Sequence, residues 1–180
     1  MSITGDILRN CKDYLGGINT FYVCNWVKYS RTQIAVTGQT LTTFPSTVVY
    51  KVEADSINFT ETPSFEGGSI KYDQSFTFEM PKTAVTSELH TLLQRNSRIF
   101  YIDRIGNIRV LGLYNGLEAS PTNESGGDKA SLNGYKLTVT GLEDNQAYFI
   151  SDLEALGIQL GDPFNFIFQD GNNYVFQDGN

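Results

Sequence analysis

Residues Ser69–Met80 alternate more cleanly than any other stretch of the chain. Ile70, Tyr72, Phe76, Phe78 and Met80 share one parity, and Lys71, Asp73, Ser75, Thr77 and Glu79 the other. Successive side chains of a strand point to opposite faces, so this segment predicts a strand with one buried and one wet face. Upstream, Val48, Tyr50, Val52 and Ala54 are apolar at even positions, whereas Ile57 and Phe59 follow at odd ones. One inserted residue produces such a switch of parity, which predicts a β-bulge near Asp55. Between these strands, Glu61–Gly68 contains Pro63 and the pair Gly67-Gly68, predicting the loop of a long antiparallel hairpin.

Other segments follow different rules. Asn19–Lys28 carries apolar side chains on both parities, as in a strand covered on both faces, and a subunit interface is one source of the second cover. Arg98–Tyr114 reads as a second hairpin, turning at Ile105-Gly106-Asn107, and its dense apolar content predicts a central place in a sheet. Asn133–Leu142 alternates again, through Tyr135, Leu137 and Val139. Val85, Leu89, Leu92 and Leu93 recur at helical spacing, predicting one helix over Thr83–Gln94, capped by Thr83 and packed on the sheet. Ala119–Ser131, with Pro121, Gly126 and Gly127 and almost nothing apolar, predicts an exposed, mobile loop.

At the end of the chain Phe168-Gln-Asp-Gly-Asn172 recurs letter for letter as Phe176-Gln-Asp-Gly-Asn180. Asp170-Gly171 between aromatic runs predicts a tight hairpin. A lone hairpin is marginal in water, so Phe168, Tyr174 and Phe176 are candidate contact residues for the body or a neighbouring copy. The pattern divides into a β domain over residues 1–150, with an N-terminal arm, and a C-terminal extension over 151–180. The fold class expected is mainly β, an antiparallel sandwich or barrel with one packed helix.

Composition fits this reading: 12 Phe and 10 Tyr favour strands, and 40% apolar residues suffice for a core. No apolar run is long enough for a transmembrane helix, and no export signal is recognisable near Met1, so no membrane partner is expected. Residues 1–136 hold 13 acidic and 13 basic residues, while Glu143, Asp144, Asp152, Glu154, Asp162, Asp170 and Asp178 carry the whole net charge of -7. Adhesion of that acidic end to phosphate backbones is disfavoured.

Candidate chemistry is sparse. His90 is the single histidine and has no ligand cluster or nucleophile beside it in sequence. Cys11 and Cys24 are read as free thiols, and a catalytic Cys–His pair has no motif to support it. Asp6, Asp13, Asp162, Asp170 and Asp178 raise a calcium hypothesis, but Asp170-Gly171-Asn172 lacks the rest of an EF-hand loop, and turn chemistry accounts for it. Glycine-rich phosphate loops and nucleophile elbows are absent from the sequence. No catalytic residue, metal or cofactor is expected, and a non-enzymatic role follows.

The order of elements, together with Arg98–Tyr114, the phrase Asn133-Gly-Tyr-Lys-Leu-Thr-Val-Thr-Gly-Leu-Glu143 and the Phe-Gln-Asp-Gly-Asn repeat, resembles bacteriophage tail-tube-like virion proteins, including tail proteins of crAss-like phages of Bacteroidetes. The resemblance spans most of residues 15–150. It implies a subunit, made in the host cytoplasm, that assembles with its own copies and other tail proteins into rings, usually sixfold and stacked, around a channel for DNA ejection. It also implies that the hairpin loop, here Glu61–Gly68 with Phe65, Glu66, Gly67 and Gly68, reaches the next ring, and that Lys71, Asp73, Ser75, Thr77 and Glu79 are candidates to line the channel. Trp26, on the strand covered on both faces, joins the candidate contacts. The competing expectation is a monomeric β-sandwich that binds carbohydrate or protein through its Phe/Tyr surface and the loop Ala119–Ser131.

Overall fold

In a computed structural model describing residues 17–81, 96–125 and 133–161, twelve strands form two sheets. They are β1 (Ile18–Asn25), β2 (Ala35–Thr37), β3 (Thr40–Thr43), β4 (Thr47–Val52), β5 (Asp55–Glu66) and β6 (Ser69–Pro81). They continue with β7 (Ser97–Asp103), β8 (Ile108–Leu111), β9 (Glu118–Ser125), β10 (Asn133–Glu143), β11 (Tyr148–Ile150) and β12 (Ile158–Leu160). The larger sheet runs β12-β4-β1-β7-β8-β11-β3-β2, and the smaller runs β5-β6-β10-β9.

The sheets meet through inward-facing aromatic and branched side chains. Phe21, Val23, Val52, Ile99, Tyr101 and Leu111 of the large sheet pack against Phe76, Phe78, Met80, Leu137 and Val139 of the small one. Phe21 lies 5.0 Å from Phe76 and 4.8 Å from Phe78 between ring centroids, both tilted, the arrangement aromatic pairs favour. The sandwich is therefore built on the predicted face of β6, although Ile70 lies outside the core and is exposed.

A second core lies on the opposite face of the large sheet. Cys24, Leu41, Phe44, Val49, Phe100, Val110, Leu113, Ile150, Leu153 and Ile158 meet there, and the short strands β2, β3, β11 and β12 belong to this side. The double cover expected for Asn19–Lys28 thus comes from the chain itself: Phe21 and Val23 enter the first core and Cys24 the second, with no subunit needed. β7 sits mid-sheet between β1 and β8, and the Arg98–Tyr114 hairpin forms as read, with Asp103 accepting from the backbone N–H of Ile105 and Asn107 across the turn.

Four expectations change. The large sheet is mixed, because β11 runs parallel to β3 and β12 parallel to β4. Residues 119–125 belong to β9, paired with β10 from Glu118↔Thr140 to Asn133↔Ser125, so backbone pairing outweighs a turn-like composition there; the rest of Ala119–Ser131 lies outside the described residues. Pro63 is no loop residue but sits in β5, an edge strand whose outward N–H the ladder does not use. The loop of that hairpin shrinks to Gly67-Gly68, whose φ values of 57° and 84° suit the tight turn glycine allows.

The bulge appears where the parity switched: register slips between Asp55 and Asn58, and Ser56 has φ of 51°. No helix occurs among the described residues, and the predicted helix Thr83–Gln94 lies outside them. Past Ile150 the chain continues into the second core through Leu153 and Ile158.

Candidate interaction surfaces

The hairpin β5–β6 outruns its sheet. β10 accompanies β6 only as far as Glu143↔Tyr72, whereas β5 stays paired beyond that point through Ser64↔Lys71, Phe65↔Ile70 and Glu66↔Ser69. Residues 64–71 therefore form a two-stranded arm that projects roughly 12 Å, at about 3.4 Å per residue. Phe65 is 81% exposed and Ile70 46% exposed, and they sit directly opposite one another near the tip. Isolated hairpins gain little from themselves, so an apolar pair at such a tip is surface available to a partner.

The base of the arm is pinned. Lys71 pairs with Asp144, which also receives Arg31 at 3.2 Å. The hydrogen bond from Lys71 is the main cause that holds the Asp144 carboxyl below the usual carboxylate range.

The outer face of the small sheet is the second surface. Cross-strand register aligns Thr60, Thr62, Ser75, Thr77, Thr138, Thr140, Ser120 and Thr122 on it, all on the parity opposite the core. The predicted outward set belongs here: Asp73 is exposed, while Lys71, Ser75, Thr77 and Glu79 are half-buried by their neighbours. Glu79 stands 3.9 Å from Lys136 on this face, and Asp73 and Glu118 add two exposed acidic side chains. At one end an open hollow of about 510 Å³ is bordered by Asp73, Asn96, Asn115, Glu118, Thr140 and Leu142.

Trp26 is half-buried against Gly116, where an added Cβ would stand 2.9 Å from the indole. Gly67 and Gly68 form the arm's turn, the side chain of Glu66 is not described, and Phe168, Tyr174 and Phe176 lie outside the described residues, as do Cys11 and His90.

Three buried polar residues escaped the sequence reading. Arg98 is fully buried on the second-core face of β7, donating from Nη2 to the Leu113 carbonyl at 2.8 Å and the Val27 carbonyl at 3.3 Å. Its guanidinium lies 5.2 Å from the Tyr29 ring centroid and 5.1 Å from that of Phe44, within cation–π range. Burial lowers its pKa and pushes the neighbouring Cys24 thiol up, and Cys24 is a free thiol buried in the second core.

Gln74 links the sheets, donating to Glu61 at 3.0 Å and accepting from the Gly112 N–H at 3.0 Å, while Glu61 also accepts from the Ala147 N–H at 2.7 Å. Glu143 accepts the backbone N–H of Tyr114 at 3.0 Å and of Asn115 at 2.8 Å. The signal available in sequence was placement alone: Arg98 opens an apolar run, and Glu143 continues the buried parity of β10.

Among the described residues no group of three or more His, Cys, Asp or Glu side chains could hold a metal ion, and no helix is long and apolar enough to cross a membrane. No family model, curated protein or solved structure matches the chain.

Proposed function

We propose that this chain is a structural subunit that works by assembling with its own copies, as a ring or tube component of a phage tail. The observation that carries the reading is the projecting arm, with Phe65 and Ile70 facing solvent at its tip. Apolar tips of this kind lose exposed area when they dock, at about 25 cal/mol per Å² buried. The edges β5 and β9 offer backbone groups that a neighbouring copy can pair, and ring closure removes such edges from solvent.

In a ring of this sort the channel wall has no use for strong attraction to DNA, and the outer face of the small sheet has a fitting chemistry. Its hydroxyls, the Glu79–Lys136 pair and the acidic Asp73 and Glu118 offer a polar, mildly negative surface past which a duplex slides. Sixfold symmetry, stacking and contact with other tail proteins belong to the same proposal.

The test is sedimentation velocity and negative-stain microscopy on the purified chain over a wide concentration range. Rings or concentration-dependent oligomers that Phe65→Glu abolishes are the expected result; a monomer at every concentration counts against the reading. The second reading, a monomeric sandwich that binds carbohydrate or protein, draws on the hollow beside Asn96 and Asn115, whose amides suit sugar hydroxyls. A monomer that binds glycans on an array, and loses binding on Asn115→Ala, favours it.

A further inference from the structure

The arm at the end of β5–β6 has one apolar and one polar face. Register places Phe59↔Phe76, Pro63↔Tyr72 and Phe65↔Ile70 on the same face of the hairpin, and Phe76 on that face is buried in the first core. The underside of the arm is therefore the core-facing side of the small sheet, continued past its cover. The large sheet and the loops beside it cover that side as far as Tyr101, whose ring centroid lies 5.3 Å from that of Phe59, and as far as Gly112 and Ala147, whose N–H groups donate to Gln74 and Glu61. Farther out Pro63 is exposed and Tyr72 half-buried, and beyond them stand Phe65 and Ile70, both exposed. The opposite face of the arm carries Thr62, Ser64, Ser69, Lys71 and Asp73.

Among the described residues no other exposed large apolar side chain has a like neighbour across a strand. Val48 stands opposite Gln159, Leu160 opposite the buried Val49 and Leu142 opposite Asp73, while Val27 and Ile105 lie outside the strands.

We propose that the underside of the arm is a two-fold clasp: the arms of two copies lie face to face, each covering the Phe65–Ile70 pair of the other. The clasp rests on the reading of the chain as a self-assembling subunit, and it specifies which surface meets which. An apolar sheet face is covered by another such face about 10 Å away. Within the described residues, the surface of that kind left open is the same arm on a second copy. Two arms together make a small two-layered sandwich of four strands. The contact is isologous, so it joins copies in pairs and closes on itself. The few side chains of one arm bury much less than the roughly 800 Å² per partner of a standard interface. A single clasp is therefore weak and gains strength by repetition, as when two rings meet end to end.

The test uses the full chain carrying Phe65→Glu, Phe65→Lys or Ile70→Lys, each alone, and equal mixtures of Phe65→Glu with either lysine variant. Association is followed by sedimentation velocity, with the melting temperature as the control for folding. Each variant alone is expected to associate about tenfold or more weakly than wild type, because like charges then meet across the two-fold contact. At least one mixture is expected to recover association, since opposite charges face each other there, and to lose it again in about 1 M salt, where the Debye length is about 3 Å. Association that survives all three variants shows that the arm is no contact. Association lost in the single variants and in both mixtures shows that the arm seats on a different surface. Either result overturns the clasp and leaves the self-assembling subunit standing, whereas a wild-type chain that stays monomeric at every concentration overturns both.

Discussion

Single side chains set sharp limits in this protein. Gly141 faces the loop so closely that an added Cβ would stand 2.5 Å from the Gly116 carbonyl oxygen and 2.8 Å from Leu117. The obstacle is backbone, which cannot swing aside, so Gly141→Ala is expected to cost about 2 kcal/mol, measured by urea denaturation. Arg98→Ala removes a buried guanidinium that fills space between Tyr29 and Phe44 and satisfies two carbonyls, and a loss of about 3 kcal/mol is expected in the same assay. Adjacent carboxylates are shifted in opposite directions, Glu143 upward by burial and Asp144 downward by the hydrogen bond from Lys71. Asp144, held low by Lys71, contributes stability that is present above its unfolded value and lost as pH falls through the folded one. Asp144→Asn should therefore lower the melting temperature in neutral buffer and leave it nearly unchanged in strong acid.

At the scale of elements, the arm separates folding from association. Phe65 and Ile70 touch none of the core, so Phe65→Glu should leave thermal stability within about 0.5 kcal/mol of wild type while weakening any self-association seen by light scattering. Strand identity was legible wherever period two was strict, as in β6 and β10, and the parity switch revealed the bulge at Asp55. The arm was half legible: Gly67-Gly68 marked its turn, yet Pro63 looked like a loop because nothing local shows that β5 is an edge. β9 was misread because its order comes from pairing with β10, as in Glu118 with Thr140, rather than from its own residues. Arg98, Gln74 and Glu143 were invisible as partners, since the groups they satisfy are backbone atoms brought close only by the two sheets.

For the whole molecule, the large sheet is a wall shared by two cores, and damage on either side reaches the other through it. Phe76→Ala in the first core is expected to cost 3–5 kcal/mol, as is usual for a buried Phe. A chain ending at Ile150 loses Leu153, Ile158 and the β12–β4 pairing, and should be less stable than one ending at Gly161 by roughly 3–6 kcal/mol, from about 1.5–3 kcal/mol per buried aliphatic side chain. Calorimetry of the two chains checks this. The same wiring governs how the protein comes into being. β1 waits for β7, whose Ser97–Asp103 pairs with it, and β4 waits for β12 at Ile158–Leu160. At about 5–20 residues per second, a ribosome needs on the order of ten seconds between making β1 and releasing β12, and although β1 and β4 can pair with each other early, β7 and β12 complete the sheet only later. The yield of folded chain in a cell is therefore expected to fall more steeply with temperature than the stability of the finished fold.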